Sequence, residues 1–215
     1  MNSNNYEAWL HGKHAETCIK NLRKHDFDAY FFQNITVARS FILKNTASYD
    51  TFGFGGSDTT RQLNIIEALR KLKKTVYDHW ETGFSPDENL DIRRKQVLCD
   101  CFFCSANAIS LTGEIVNVDG VGNRTSAMAF GPQQVMIIAG INKLVPDLSA
   151  ALHRVREVAG PMRARSLDMK TPCAEIGICI DCNVPQRICR ITSILHRKPM
   201  LTAVSVILIN EKLGF

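Results

Sequence analysis

Two long apolar runs constrain this chain most: VMIIA from Val135 and VSVILI from Val204, the second broken only by Ser205. Both are strand-length, far short of the ~20 apolar residues a bilayer span needs. Other short strand-like stretches, DAYFF, TFGFGG and TVYDHW, alternate with segments of helical periodicity. That alternation implies an α/β architecture, a single mostly parallel sheet flanked by helices and covered on both faces.

The helical segments carry their own signals. Residues 6–25 read as a helix with Trp9, Ala15, Ile19 and Leu22 near one stripe. Asn34 caps a helix bearing Val37, Phe41 and Ile42. After TFGFGG, Ser57 or Asp58 caps a helix with Leu63, Ile66, Leu69 and Leu72 at three- and four-residue spacing. A break at Gly83-Phe84-Ser85-Pro86 precedes a helix predicted over 87–103. SANAIS, TGEIVNVDG and QQVMIIAG read as short strands between glycine-rich turns. Residues 147–159 form a helix with Leu148, Ala151, Leu152, Val155 and Val158 on one face. Residues 160–185 show no periodicity and read as a long loop, which in a compact domain is functional or poorly ordered. The chain divides into an N-terminal helical part, 1–50, and an α/β core, 51–215, with a cysteine-bearing loop at 173–189.

The 215 residues carry a net charge of +5, with 26 basic against 21 acidic side chains. The basic residues are scattered and form no aromatic-interleaved stripe, so nucleic acid is not the expected partner. A small anionic ligand suits the balance better. The polar start, MNSNNYEAWLHGKH, has no apolar signal core. A cytoplasmic location follows as the expectation, and there clustered cysteines bind metal or do redox chemistry more often than they form staples.

Gly53, Gly55, Gly56, Ser57 and Thr59 stand where a strand becomes a helix. Glycines let the backbone turn sharply and uncover its N–H groups, and a helix start adds donors and partial positive charge. Such a loop can cradle phosphate or carboxylate, or it can be a tight capped turn. No lysine follows the glycines, so it is not a P-loop, and it does not fit GxGxxG. A second cluster, Glu114, Asn117, Asp119, Asn123 and Arg124, falls within eleven residues. Strand alternation turns Asn117 and Asp119 to one side, and Arg124 can clamp an anion bidentately. The alternative is a hairpin with an Asx turn at Asp119 and a solvated Arg124. Lys143 follows an apolar strand, where open α/β sheets bind ligands, or it is a lone surface lysine.

Cys173, Cys179, Cys182 and Cys189 form C-x5-C-x2-C-x6-C. Soft thiolates so spaced suit an iron–sulfur cluster or tetrahedral zinc, or else are free or redox-paired thiols. Cys99, Cys101 and Cys104 read as core packing on a helix, and Cys18 as structural. The histidines make no ligand or nucleophile–base pattern, and Ser57 lies in no G-x-S-x-G elbow.

FGFGGSDTT, SANAISLTGEIVNVDGVGNRTSAMAFGP, GINKLVPDL, RVREVAGP, TPCAEIGICIDCNVPQRIC and VILINEKLGF together resemble the LUD (lactate-utilisation) domain family, over roughly residue 53 to the end of the sequence. The resemblance implies a fold similar to sugar-phosphate isomerases and CoA-transferases, with Gly53, Gly55, Gly56, Ser57 and Thr59 on its anion-binding loop. It also implies a component of an iron–sulfur-containing system that oxidises L-lactate to pyruvate, acting with partner subunits. Two alternatives stand beside it. One is a stand-alone sugar-phosphate isomerase or CoA-dependent enzyme, which needs a carboxylate base or nucleophile, with Glu114 and Asp119 the candidates. The other is a non-catalytic ligand-sensing module.

Overall fold

The computed structural model describes residues 3–215. Its elements run α1 (Ser3–Lys24), β1 (Asp28–Phe32), α2 (Ile35–Asn45), β2 (Thr51–Phe54), α3 (Asp58–Gln62), α4 (Ile65–Lys71), β3 (Thr75–Asp78), α5 (Pro86–Val97) and β4 (Cys101–Cys104). They continue as β5 (Ala108–Ser110), β6 (Ile115–Asp119), α6 (Asn123–Ala129), β7 (Gln134–Gly140), β8 (Leu144–Val145), α7 (Leu148–Arg154), α8 (Gly160–Ser166), α9 (Pro172–Ile176), β9 (Ile191–Leu195) and β10 (Ala203–Ile209).

Six strands form one sheet in the order β1-β10-β7-β4-β2-β3, parallel at every pairing. The two apolar runs are its adjacent inner strands, β7 and β10. Alternation puts Val135, Ile137 and Ala139 into one core, against Leu22 of α1 and Met128 of α6. Met136 and Ile138 enter the other, against Ile42 of α2 and Leu69 of α4. In that second core Phe103 stacks on Phe54 and Phe52, with ring centroids 5.0 and 6.0 Å away. Losing such a buried ring costs about 3–5 kcal/mol, so Phe103 is a keystone of this layer.

The α/β class and the parallel sheet agree with the expectation. A smaller four-stranded sheet, β8-β5-β6-β9, stands beside the main one, with β6 antiparallel to both neighbours. It buries Ala108 and Val116 under Ala151 and Val155. The N-terminal part packs within the same body: β1 pairs with β10, and Ala15, Cys18 and Leu22 of α1 lie in the main core. Trp9 lies outside it at 62% exposed, because the core contacts of α1 begin only at Ala15.

Three expectations change. The helix predicted over 87–103 ends at Val97, and Cys101–Cys104 is a fully buried central strand. The run CFFC has no polar position, and burial on both faces overrides the helical reading. The helix after Ser57 breaks at Asn64, which adopts φ 50°, so α3 is only five residues long. The loop expected over 160–185 is partly helical. A π-helical turn, Val155–Ala159, carries α7 into α8, whose first turn holds Pro161, and α9 follows with Pro172 in its first turn. Among the described residues no helix is long and apolar enough to cross a membrane.

Candidate functional site

Parallel strands deliver their C-terminal ends to one edge of the sheet, and side chains from three of those ends meet there. β2 leads into Gly56, Ser57, Asp58 and Thr59, β4 into Ser105, and β7 into a 3-10 turn, Ile141–Lys143. Gly56, Ser57, Asp58, Thr59, Ser105 and, from the turn, Lys143, with Arg124, Arg163, Asn107 and Val118, line a cavity of about 90 Å³. The glycine-rich loop and the turn at 119–124 therefore converge on one site.

Lys143 is its most unusual occupant. The side chain is 4% exposed. Its Nζ donates to Ser105 Oγ at 2.8 Å and to Thr59 Oγ1 at 3.0 Å. Burial first, then the charges of Arg154 and Arg124, pull this amine down from 10.5 to about 7. Arg124 donates to Val118 O at 2.5 Å and lies 3.8 Å from Asp119 Oδ2. Arg163, on α8, pairs with Asp58 at 3.3 Å and stacks its guanidinium over Trp80, 4.7 Å from the ring centroid. Arg61 covers the same ring at the same distance and makes a two-pronged pair with buried Asp78. Arg154 donates to Asn142 O and to Asn107 O, bracing the wall beside Lys143.

Several expected residues serve the frame rather than the cavity. Gly53 is packed in β2, where a Cβ would come 2.9 Å from Cys99 Sγ. Gly55 gives its N–H to Phe103 O at 2.8 Å and lies against Arg124. With that amide taken and α3 so short, the backbone cradle is poorer in free donors than expected. The cations carry the site instead. Ser57 does both: it lines the cavity and caps α3 by accepting from Thr60 N. Asn117 is fully buried, accepts from Asn107 N and donates to Met128 Sδ. Asn123 bridges Gln96 and Arg93.

The two carboxylate candidates are separated by the length of β6. Glu114 accepts from Ser110 and Thr112 in the turn between β5 and β6, outside the cavity. Asp119 accepts from Val121 N and Thr125 N, pinning the start of α6. Burial raises its carboxyl, but Arg124 and these N–H groups bring it net below its ordinary value. Glu114 thus stands apart from the cavity, while Asp119 adjoins it through Arg124. Reading the sequence missed Ser105, Arg154, Arg163 and Trp80. For Arg163 a signal existed: Gly160-Pro161 is a helix-start pair inside the segment read as a loop.

Cys173, Cys179, Cys182 and Cys189 are half-buried and line one further cavity of about 340 Å³. Arg187 holds two of them in place, donating to Cys182 O at 2.7 Å and Cys189 O at 2.8 Å. Among the described residues, no three His, Cys, Asp or Glu side chains converge tightly enough to hold a single metal ion. Val118, Val155, Gly160, Ile188 and Cys189 border both cavities, so the thiols adjoin the cationic site. Cys99, Cys101 and Cys104 pack in the cores as expected, but from a strand and the residues beside it.

None of the curated proteins compared with the chain matches it. Among solved structures, a DUF162 family protein from Deinococcus radiodurans is similar, with a TM-score of 0.55 and 11% identity over 93% of this chain and 98% of that one. At that identity the likeness is one of fold. The LUD domain profile matches residues 15–209, nearly the whole sequence, and on that match the chain belongs to the LUD domain family.

Proposed function

We propose that this protein is a component of an iron–sulfur-containing lactate-utilisation system, L-lactate to pyruvate, and that it holds a small anion in the Lys143 cavity. Family membership, linked broadly to lactate utilisation, supports the first half. One observation carries the second: Arg124, Lys143 and Arg163 line one cavity whose single acidic side chain, Asp58, is already paired with Arg163. Arg124 has Asp119 3.8 Å away, so three cations face two acids, and an excess of positive charge around one cavity suits a carboxylate or phosphate. Titration calorimetry with L-lactate, pyruvate and inorganic phosphate tests it. Saturable binding of at least one, lost in Arg163→Ala and Lys143→Gln, is the expected result, and heats of dilution alone would overturn it.

The four thiols fit the cofactor half of this reading. Soft donors lining one cavity suit a cluster, which spreads its thiolates over several metal atoms, and such a group supplies one-electron transfer when bound. Cys173, Cys179, Cys182 and Cys189 would hold it. Anaerobic purification followed by iron, sulfide and zinc analysis decides between cluster and zinc. Metal-free protein with a fully functional quadruple Cys→Ser variant removes both.

A further inference from the structure

Lys143 is a buried amine with no acid to pair with. Two neutral hydroxyls hold its Nζ, and Asp58 acts on it only through space while Arg154 and Arg124 oppose its charge. On their own such surroundings favour the neutral amine. A lysine desolvated beside other cations has the environment that makes an amine nucleophilic. The neighbouring guanidiniums of Arg124 and Arg163 suit a carboxylate, and in a 2-oxo acid the electrophilic carbon is one bond from that group.

We propose that Lys143 Nζ forms an imine with the carbonyl carbon of a small 2-oxo carboxylate held in this cavity. This rests on the anion-site reading above and adds a covalent step to it. The nitrogen lone pair attacks the carbonyl carbon, a C–N bond forms, and the C=O π pair moves onto oxygen. Both amine protons reach that oxygen, with Ser105 Oγ and Thr59 Oγ1 placed to relay them. The C–O bond breaks and water leaves. The imine nitrogen then takes a proton from solvent. Nothing is oxidised or reduced. The amine's value of about 7 leaves a large neutral fraction at neutral pH, which the attack requires.

Reductive trapping tests this. The protein is incubated with pyruvate and sodium cyanoborohydride, then analysed by intact mass and peptide mapping, with L-lactate as the carbonyl-free control. One adduct per chain, on the Lys143 peptide with pyruvate only, is expected, and it disappears in Lys143→Arg. The assignment comes from the wild-type peptide, so a variant that fails to fold does not blunt the test. Calorimetry on the same protein separates the two readings. If pyruvate binds but no adduct forms, or adducts fall on other lysines, the imine is overturned and the anion site stands. If neither pyruvate nor phosphate binds and Lys143 is not trapped, both fall.

Discussion

Lys143 Nζ lies 3.0 Å from Thr59 Oγ1, although 84 residues separate them in sequence. The contact joins the turn after β7 to the helix after β2, two strands with β4 between them. It forms only because the parallel sheet brings their C-terminal ends to one edge, and four outcomes follow from this cavity and its surroundings.

The first concerns pH. Folded, Lys143 sits at about 7, against an ordinary 10.5. Between those values the unfolded chain holds the extra proton, so wild-type stability rises with pH across the window and this contribution is flat below about 7. Lys143→Met is expected to be more stable than wild type at pH 7 by roughly 1–4 kcal/mol. The gain shrinks as pH nears 10. Urea melts at pH 7 and pH 10 check this, and a pH-independent difference counts against it.

Asp78 gives a pH slope of the same sign, but from a group that stabilises the fold. Burial alone would raise its carboxyl, but two Arg61 hydrogen bonds and the Trp80 N–H leave it net below 3.8. Its stabilisation is present above the unfolded value and lost as pH falls through the folded one. Asp78→Asn is expected to cost about 3 kcal/mol at pH 7 by leaving Arg61 unpaired. Below pH 3.8 the two proteins converge in thermal melts.

Gly56 touches the site through Trp80. A Cβ there would meet the indole Cζ2 and Nε1 at 3.0 Å and push the ring between Arg61 and Arg163. Gly56→Ala is expected to weaken phosphate or pyruvate binding about tenfold, or ~1.4 kcal/mol. In a Trp9→Phe background the emission of Trp80 reports the displacement. Unchanged emission with unchanged affinity would refute it.

The eight cysteines divide by burial. Cys18, Cys99, Cys101 and Cys104 are buried, and burial holds their thiols well above the ordinary value. Cys173, Cys179, Cys182 and Cys189 are partly open. Chelator-treated, reduced protein is expected to expose four thiols to a chromogenic disulfide reagent when folded and all eight in guanidinium. Labelling of Cys101 in the folded state would contradict the central position of β4.

Much of this was legible in one dimension. The runs at β7 and β10 announce double-sided burial, and Asn34 and Ser57 cap the helices they precede. Gly56, Ser57 and Thr59 of the glycine-rich loop share a cavity with Arg124, which two separate motifs in the sequence did not reveal. Less legible was CFFC, because four apolar residues fit a buried helix or a buried strand and only neighbouring strands decide between them. The roles within EIVNVD were legible as a pattern but not as a purpose. Alternation separates Glu114 from Asp119 by side, yet their partners, Ser110 and the start of α6, are matters of packing.

Local chemistry thus determined the family, most of the element types and part of the site's residue inventory, because periodicity, caps and motifs act within a few residues. The tertiary structure decided which of those residues meet. It turned Lys143 from a possible surface side chain into a buried amine between two hydroxyls, brought in Arg163 from a segment without visible periodicity, and set Glu114 aside. Burial, charge proximity and long-range hydrogen bonds set the chemistry of an ionisable group, and all three depend on how distant strands order themselves in the sheet.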